Sequence, residues 1–464
     1  MISSKVKAPR HGPGRLVVDG RDTTVTRKAR LSVSPTRRQE HELLRMLDAT
    51  REVYNGGLQH RRDAWKAARD RVTVYGHFTD LTGIRDVRPD LFAWGLQPLR
   101  GALRRLDEAY GAFFRRCAAG ETPGHPRFRG RSRWNTIMWD EPTGWKLHLD
   151  RRIVYVQGVG DIGLPKGSVR QLRRLAARGG QPRTLTITRR RAGGTTDRPR
   201  WVWHATVGFR GVAVETTTPT AGGDSTVGVD RGVKVTAACA QATPDDAVAD
   251  LHRMPPWMAE ARDRIIALQS ARSRRSKYSR SWRRANRAIA REHRKVAARS
   301  DNWARETAGA LVATYGVIAV ENLDLIAMTR SAKGTVEEPG RNVSAKQGLN
   351  RSLQDAALGR LATWIRVKAE SAGRRVWTVP AANTSRRCFK CGHTAKENRP
   401  SQARFCCVEC SHVANADVNA ARNIALLGEE CEAAWTAAGR PSLARPAPRL
   451  RRRKPSDTGR AQAG

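Results

Sequence analysis

Residues 226–240 read TVGVDRGVKVTAACA. An apolar, β-branched run ends at Asp230, turns near Arg231-Gly232 and resumes toward Ala240, which predicts a β-hairpin with an acid at the end of its first strand. A second short apolar strand, VIAVE at 317–321, ends at Glu321, and DVNAARNIALL at 417–427 predicts a helix opened by Asp417. A carboxylate closing an otherwise apolar strand is costly unless it is paired or bound to a cation. Taken singly, Asp230 reads as a turn residue and Asp417 as a helix N-cap.

As an ordered set, the three acids say more. A hairpin with Asp, a later strand with Glu and a last helix with Asp is the wiring of an RNase H-like nuclease. Mg²⁺ or Mn²⁺ takes a few carboxylates plus water and phosphate. Two such ions on shared carboxylates activate a water and stabilise the leaving oxygen of a phosphodiester. Asp230, Glu321 and Asp417 are therefore the candidate catalytic and magnesium-binding residues.

Working outward, five of the eight cysteines crowd between Cys388 and Cys410. CFKC (388–391) and CVEC (407–410) are two CxxC knuckles separated by fifteen residues, a strong signal for a closed, structural Zn²⁺ site. Cys406 lies beside Cys407 and could substitute for it, but Cys407 restores the two-residue spacer. His393 and His412 are adjacent alternatives. The expected ligands are Cys388, Cys391, Cys407 and Cys410; Cys117, Cys239 and Cys431 read as structural or incidental.

The formal net charge is +43, from 86 Lys+Arg against 43 Asp+Glu. Solubility needs far less charge, so a polyanion is implied, and nucleic acid rewards such a surface through counterion release. No apolar run is long enough to span a bilayer, and MISSKVKAPRHGPGR has no signal-peptide core. A cytoplasmic protein that uses no membrane is expected. Between Arg272 and Arg299, twelve Lys/Arg face one acid, Glu292, with Tyr278 and Trp282 among them. Such a surplus favours nucleic-acid contact over internal pairing. The two aromatics could stack on bases or simply pack.

Along the chain, residues 1–25 are expected to be a disordered basic N-terminus, and 26–37 a first strand. A helical lobe follows over 38–120, with apolar stripes Leu44, Leu47, Tyr54, Leu58, Trp65 and then Leu99, Leu103, Leu106, Tyr110, Phe113. Short alternating segments over 121–215 suggest a small antiparallel barrel. TTTPTAGG (216–223) is a linker. An α/β region covers 224–380, with largely helical 257–315 broken near 276–281 and one amphipathic helix over 349–372. The knuckles occupy 381–412, a final segment 413–428, and 429–464 is a Pro/Arg-rich tail expected to be disordered.

The motifs VGVDRG, VIAVENLDL, LNRSLQDAALGRLATWIRVKAESAGRRVWTVPAANTSRRCFKCGH, and FCCVEC followed by DVNAARNI together resemble the TnpB family of transposon-encoded, RNA-guided DNA nucleases, relatives of type V CRISPR effectors. REVYNGGL and YGAFFRRCAAGETPGHPRFRGRSR fit the same pattern, so the resemblance covers roughly residues 25–428. It implies a multidomain α/β protein with a RuvC-like nuclease domain carrying an inserted zinc ribbon. It also implies an N-terminal β-barrel of wedge type interrupted by a helical recognition lobe. Asp230, Glu321 and Asp417 become RuvC-type catalytic ligands of an Mg²⁺-dependent DNA endonuclease. The implied partners are target DNA and a guide RNA from the transposon end; the protein is expected to be a nucleoid-associated, prokaryotic monomer. A strand-transferring transposase and a nuclease-inactive DNA-binding repressor are the alternatives. The chain departs from the family at Ser411, where Gly usually follows the fourth cysteine, and at Asn415-Ala416, which replaces Asp-Arg.

Overall fold

The computed structural model describes residues 14–194, 199–243, 249–334 and 338–439. They form two compact units: one within Thr23–Ala213, and one made of the described residues before Thr23 and after Ala213.

The second unit begins with an unexpected element. β1 (Arg15–Val18) pairs antiparallel with a strand near residue 377, burying Leu16. The disorder expected over 1–25 is therefore overturned from Arg15 onward, while 1–13 lie outside the described residues. Four residues with their partner hundreds of positions away leave no local pattern to read.

The first unit opens with β2 (Thr24–Val33), whose alternation buries Val25, Ala29, Leu31 and Val33. α1 (Arg37–Ala68) starts at a capping box: Gln39 N–H donates to Thr36 Oγ1 at 3.3 Å, and Thr36 N–H to Gln39 Oε1 at 3.0 Å. α2 (Val74–Ile84) and α3 (Gln97–Ala118) complete the helical part. Of the expected stripes, Leu47, Tyr54, Leu58, Leu99, Leu103 and Leu106 are buried. Leu44, Tyr110 and Phe113 are half-buried, Trp65 is exposed, and Leu43 rather than Leu44 enters the core. Beyond them come β3 (Thr136–Trp139), β4 (Trp145–His148), β5 (Ile153–Val156), β6 (Gly160–Gly163), α4 (Lys166–Ala177), β7 (Gln181–Gly194) and β8 (Pro199–Ala213). Their hydrogen bonds make two open sheets, β2-β8-β7-β3 and β4-β5-β6, and no closed ring joins them among the described residues. Helix α4 was not anticipated: its buried Val169, Leu172 and Leu175 are interrupted by Arg170, Arg173 and Arg174.

In the second unit, β9 (Thr226–Asp230), β10 (Ala237–Ala240) and β11 (Ala249–His252) form an antiparallel meander. The hairpin α5 (Trp257–Ser273) and α6 (Arg280–Thr314) leads to β12 (Val317–Glu321) and the short α7 (Leu325–Met328). α8 (Val343–Asp355), α9 (Leu358–Ala372) and β13 (Arg375–Val379) follow. The single helix expected over 349–372 is thus two, broken where Ala357 takes a left-handed φ of 52°. No glycine marks the break. β14 (Arg404–Cys406) and β15 (Val413–Asn415) pair antiparallel, and α10 (Ala416–Ala437) closes the unit. The tail expected to be disordered from 429 is helical to Ala437, with Trp435 buried; 440–464 lie outside the described residues.

The sheet order is β1-β13-β12-β9-β10-β11, with β13, β12 and β9 parallel. The parallel strands are buried on both faces, which explains their uninterrupted apolar reading. Ala304, Ala308 and Leu311 of α6 and Leu361 and Ile365 of α9 cover one face. Ile424 and Trp435 of α10 join the opposite core. α10 comes very close to the sheet because Gly228 has no side chain: a Cβ there would stand 2.0 Å from the Ala421 carbonyl oxygen and 2.3 Å from the Ala425 nitrogen.

Candidate metal and nuclease centre

The β12–β9 register pairs Val320 with Val229, so Asp230 and Glu321 end neighbouring parallel strands at the same level. The contact at Gly228 lays the first turn of α10, with Asp417, against the same edge. All three acids line one cleft of about 270 Å³, together with Lys234, Arg399 and Gln402. Asp417 is not the helix cap. Asn415 is, its Oδ1 accepting from the amides of Asp417 (2.9 Å) and Val418 (3.2 Å). That releases the Asp417 carboxylate for the cleft, where Arg399 holds it at 3.0 Å.

The electrostatics suit a cation. Burial, then the charges of Glu321 and Asp417, push the Asp230 carboxyl up to about 8. Burial likewise raises Glu321, which is only 6% exposed. Glu321 Oε1 accepts from the Arg231 amide at 3.4 Å, and the buried Arg231 guanidinium donates to the Glu321 carbonyl at 2.5 Å and to the Leu358 carbonyl at 3.2 Å. Mutually repelling carboxylates with oxygen ligands only are the donor set that a hard divalent cation takes.

Arg231 and Arg399 were missed by the sequence reading. Arg231 follows Asp230 directly, and its adjacency was the available signal. Arg399 comes from a loop between the knuckles, eighteen residues before its partner, with nothing local to mark it.

The Cys388, Cys391, Cys407 and Cys410 sulfurs all lie within 4.8 Å of one another, and Cys406 is outside the group. The Sγ separations are 3.7 Å for Cys388–Cys410 and 3.6 Å for Cys391–Cys407. A tetrahedron with Zn–S bonds of about 2.3 Å has edges of roughly 3.8 Å, so four thiolates fit zinc. The knuckles are alike: Gly392 N–H donates to the Cys388 carbonyl (2.9 Å), and Ser411 N–H to the Cys407 carbonyl (3.0 Å). Both residues are left-handed, Gly392 with φ 76° and Ser411 with φ 55°. The departure from glycine at Ser411 thus keeps the backbone geometry of the turn. Asn398, fully buried, ties the knuckles together, donating to the Arg386 and His393 carbonyls and accepting from the Val408 amide. Asn419 and Asn423 of α10 both donate to the Arg387 carbonyl, linking the cysteines to the helix that carries Asp417.

One further group among the described residues has metal-ligand character: His60, His77 and Asp80. Arg61 Nε donates to His77 Nε2 at 3.2 Å, so neutral His77 carries its proton on Nδ1, 3.5 Å from Asp80 Oδ2. Burial, then Arg61, pushes that imidazole down to about 4, and it offers a cation no lone pair as arranged.

Three family profiles match: "Cas12f1-like, TNB domain" over 359–424, OrfB_IS605 ("Probable transposase") over 211–332, and "Helix-turn-helix domain" over 25–70. The last span holds one strand and a single 32-residue helix, not two helices around a turn. The chain is 31% identical over 409 residues to "Putative RNA-guided DNA endonuclease InsQ" of Escherichia coli (strain K12), covering 86% of this chain and 91% of that protein. It is 27% identical over 403 residues to "Putative RNA-guided DNA endonuclease" of Streptomyces pristinaespiralis (85% and 87% covered). Against the CRISPR-associated endodeoxyribonuclease Cas12f1 of Sulfoacidibacillus thermotolerans, identity is 46% over 77 residues, 17% of this chain and 18% of that protein. The fold resembles that of Cas12f1 in its sgRNA–target DNA complex, with TM-score 0.60, 14% identity, and coverage of 87% of this chain and 99% of that one. The chain belongs to the TnpB family of transposon-encoded proteins. No helix among the described residues is long and apolar enough to cross a membrane.

Proposed function

We propose that this protein is an RNA-guided, Mg²⁺-dependent DNA endonuclease of RuvC type, with Asp230, Glu321 and Asp417 as its metal-binding catalytic residues. The observation that carries the reading is the convergence of the three carboxylates at one strand-end cleft. The order β11-β10-β9-β12-β13, antiparallel then parallel, supports an RNase H-like assignment. Kinship to proteins named as RNA-guided DNA endonucleases supports the guide.

Bound divalent ions would supply an activated water and neutralise the leaving oxygen of the scissile phosphodiester. The chain's own part is positional. Asp230 and Glu321 present oxygens from rigid strand ends, and Asp417 completes the set from α10. Arg231 fixes the loop after Asp230 by its bonds to the Glu321 and Leu358 carbonyls. Arg399 keeps a cation beside the phosphate path. Cys388, Cys391, Cys407 and Cys410 hold a structural Zn²⁺ that braces this segment. Residues 23–213 supply the wedge-like sheets and helical recognition lobe that hold guide RNA and target DNA, and the +43 charge is neutralised largely by that RNA.

Purified with RNA transcribed across the flanking transposon end, the protein should carry a discrete RNA whose 3′ segment directs cleavage. Changing that segment should move the cut. Specific cutting that survives RNase treatment and complete RNA removal would leave a transposase, as the matched profile is described, or a plain nuclease in its place.

A further inference from the structure

The connection between α5 and α6 holds a residue that the nuclease mechanism does not use. Tyr278 adopts φ 68°, a left-handed backbone that bulky side chains rarely take. The strain is held by a built turn. Ser279 N–H donates to the Ser276 carbonyl, Arg275 Nη1 to the Ser281 carbonyl, and Ser279 Oγ caps α6 by accepting from the Trp282 amide at 3.1 Å. The result is an exposed aromatic at a hairpin tip. Tyr278 is 61% exposed, lies edge-on to Trp282 with centroids 5.4 Å apart, and has Lys277 Nζ 5.3 Å from its ring. Arg274, Lys277, Arg280 and Arg284 around it are exposed cations. The one acid of the 272–299 run, Glu292, is already engaged by Lys295 at 3.1 Å and Arg264 at 3.6 Å. Such a backbone displays a large ring to solvent among cations that have no carboxylate partner among the described residues, an arrangement open to a ligand.

We propose that this tip is a base-stacking platform: Tyr278 stacks on an unpaired or duplex-terminal nucleobase while Arg274, Arg280 and Arg284 hold the flanking phosphates. The proposal rests on the nucleic-acid reading above and adds the contact. Stacking is tolerant of sequence because every base has a π-face, so the platform senses the presence of an accessible base, not its identity.

The test uses the full chain and two short single-stranded probes of one sequence, RNA and DNA, each carrying 2-aminopurine. The wild-type protein should bind and quench the fluorophore. Tyr278→Gly, which suits a left-handed position, should leave Tm unchanged or raised, weaken binding about tenfold and abolish quenching. Tyr278→Phe should restore both. Loss with RNA alone assigns the stacked base to the guide, loss with DNA alone to the target, and loss with both to either strand; each supports the platform. Unchanged affinity and quenching in Tyr278→Gly, or a lowered Tm there, overturns it. A wild-type protein that binds neither probe overturns the nucleic-acid reading beneath it instead.

Discussion

The four cysteines and the three carboxylates are both sets of potential anions gathered for a cation, yet they are built in opposite ways. The cysteines come from two self-similar turns 23 residues end to end, each closed by its own backbone bond and bridged by Asn398. Their sulfurs already stand at the spacing of a tetrahedral zinc site. The carboxylates come from three remote elements and face an open cleft, where burial, then the charges of Glu321 and Asp417, push Asp230 up to about 8. The thiolate site is arranged to be filled once and closed. The carboxylate site keeps repulsion and free coordination positions, which is what a cation that must also meet water and phosphate requires.

The largest effect expected from that contrast is on chemistry alone. Asp230→Ala, Glu321→Ala or Asp417→Ala should each reduce cleavage by at least about a thousandfold while nucleic-acid binding persists. Single-turnover cleavage and filter binding on the same preparations measure both. A fully active Glu321→Ala protein would dissolve the comparison.

Removing a thiolate should act through folding instead. Metal analysis of Cys391→Ser should find the loss of about one zinc per chain, with 385–412 exposed to proteolysis before the sheet unfolds. Because Asn419 and Asn423 anchor α10 to Arg387, cleavage should also fall, by about 10- to 100-fold. Cys406→Ser should keep its zinc. The reverse pattern, zinc lost with Cys406 and kept without Cys407, would overturn the ligand set.

Burial and repulsion in the carboxylate cleft together have their own signature. Asp230 ionises near 3.8 in an ordinary environment and near 8 here. Between those values the folded state retains a proton that the unfolded state has released, so Mg²⁺-free stability falls as pH rises from about 4 to about 8. Asp230→Asn removes that loss. In Mg²⁺-free buffer that leaves zinc bound, its stability advantage should be small at pH 5 and on the order of 1–2 kcal/mol at pH 8.5. Parallel melts at the two pH values measure it. A constant difference would mean that burial and the neighbouring carboxylates do not hold the Asp230 proton as the geometry implies.

How much of this was legible depended on the reach of each signal. Asp230, Glu321 and the cysteines were visible because burial on both faces leaves a strand uniformly apolar up to its acid, and because CxxC is a local spacing. Both sites' residues are brought together where the sequence pattern placed them. What escaped was non-local or stereochemical. The pairing of β1 with β13 depends on a partner at the far end of the chain. Arg399 reaches Asp417 only through the folded ribbon loop. The break at Ala357 places a non-glycine residue at positive φ, where composition gives no warning. The break near 276–281 was legible, and only the left-handed backbone of Tyr278 within it was not. The open sheets of the first unit were legible as strands but not as topology, since alternation fixes faces and not which edges meet.

The smallest effect tests whether the two knuckles are as alike as their hydrogen bonds suggest. Gly392 and Ser411 occupy the same place, one residue past the second cysteine, with φ of 76° and 55° and the same amide bond back to the first. A side chain in this backbone region costs about 1 kcal/mol, because Cβ crowds the following carbonyl. Glycine recovers only part of that, since its unfolded chain is freer. Ser411→Gly should therefore stabilise the ribbon by roughly 0.5 kcal/mol, and Gly392→Ser should destabilise it by about the same amount. Competition with a zinc chelator reads both as a shift in apparent affinity, about twofold tighter for the first and about twofold weaker for the second. Weaker zinc binding in Ser411→Gly would show that the Ser411 hydroxyl, rather than its backbone angle, is what the second knuckle keeps.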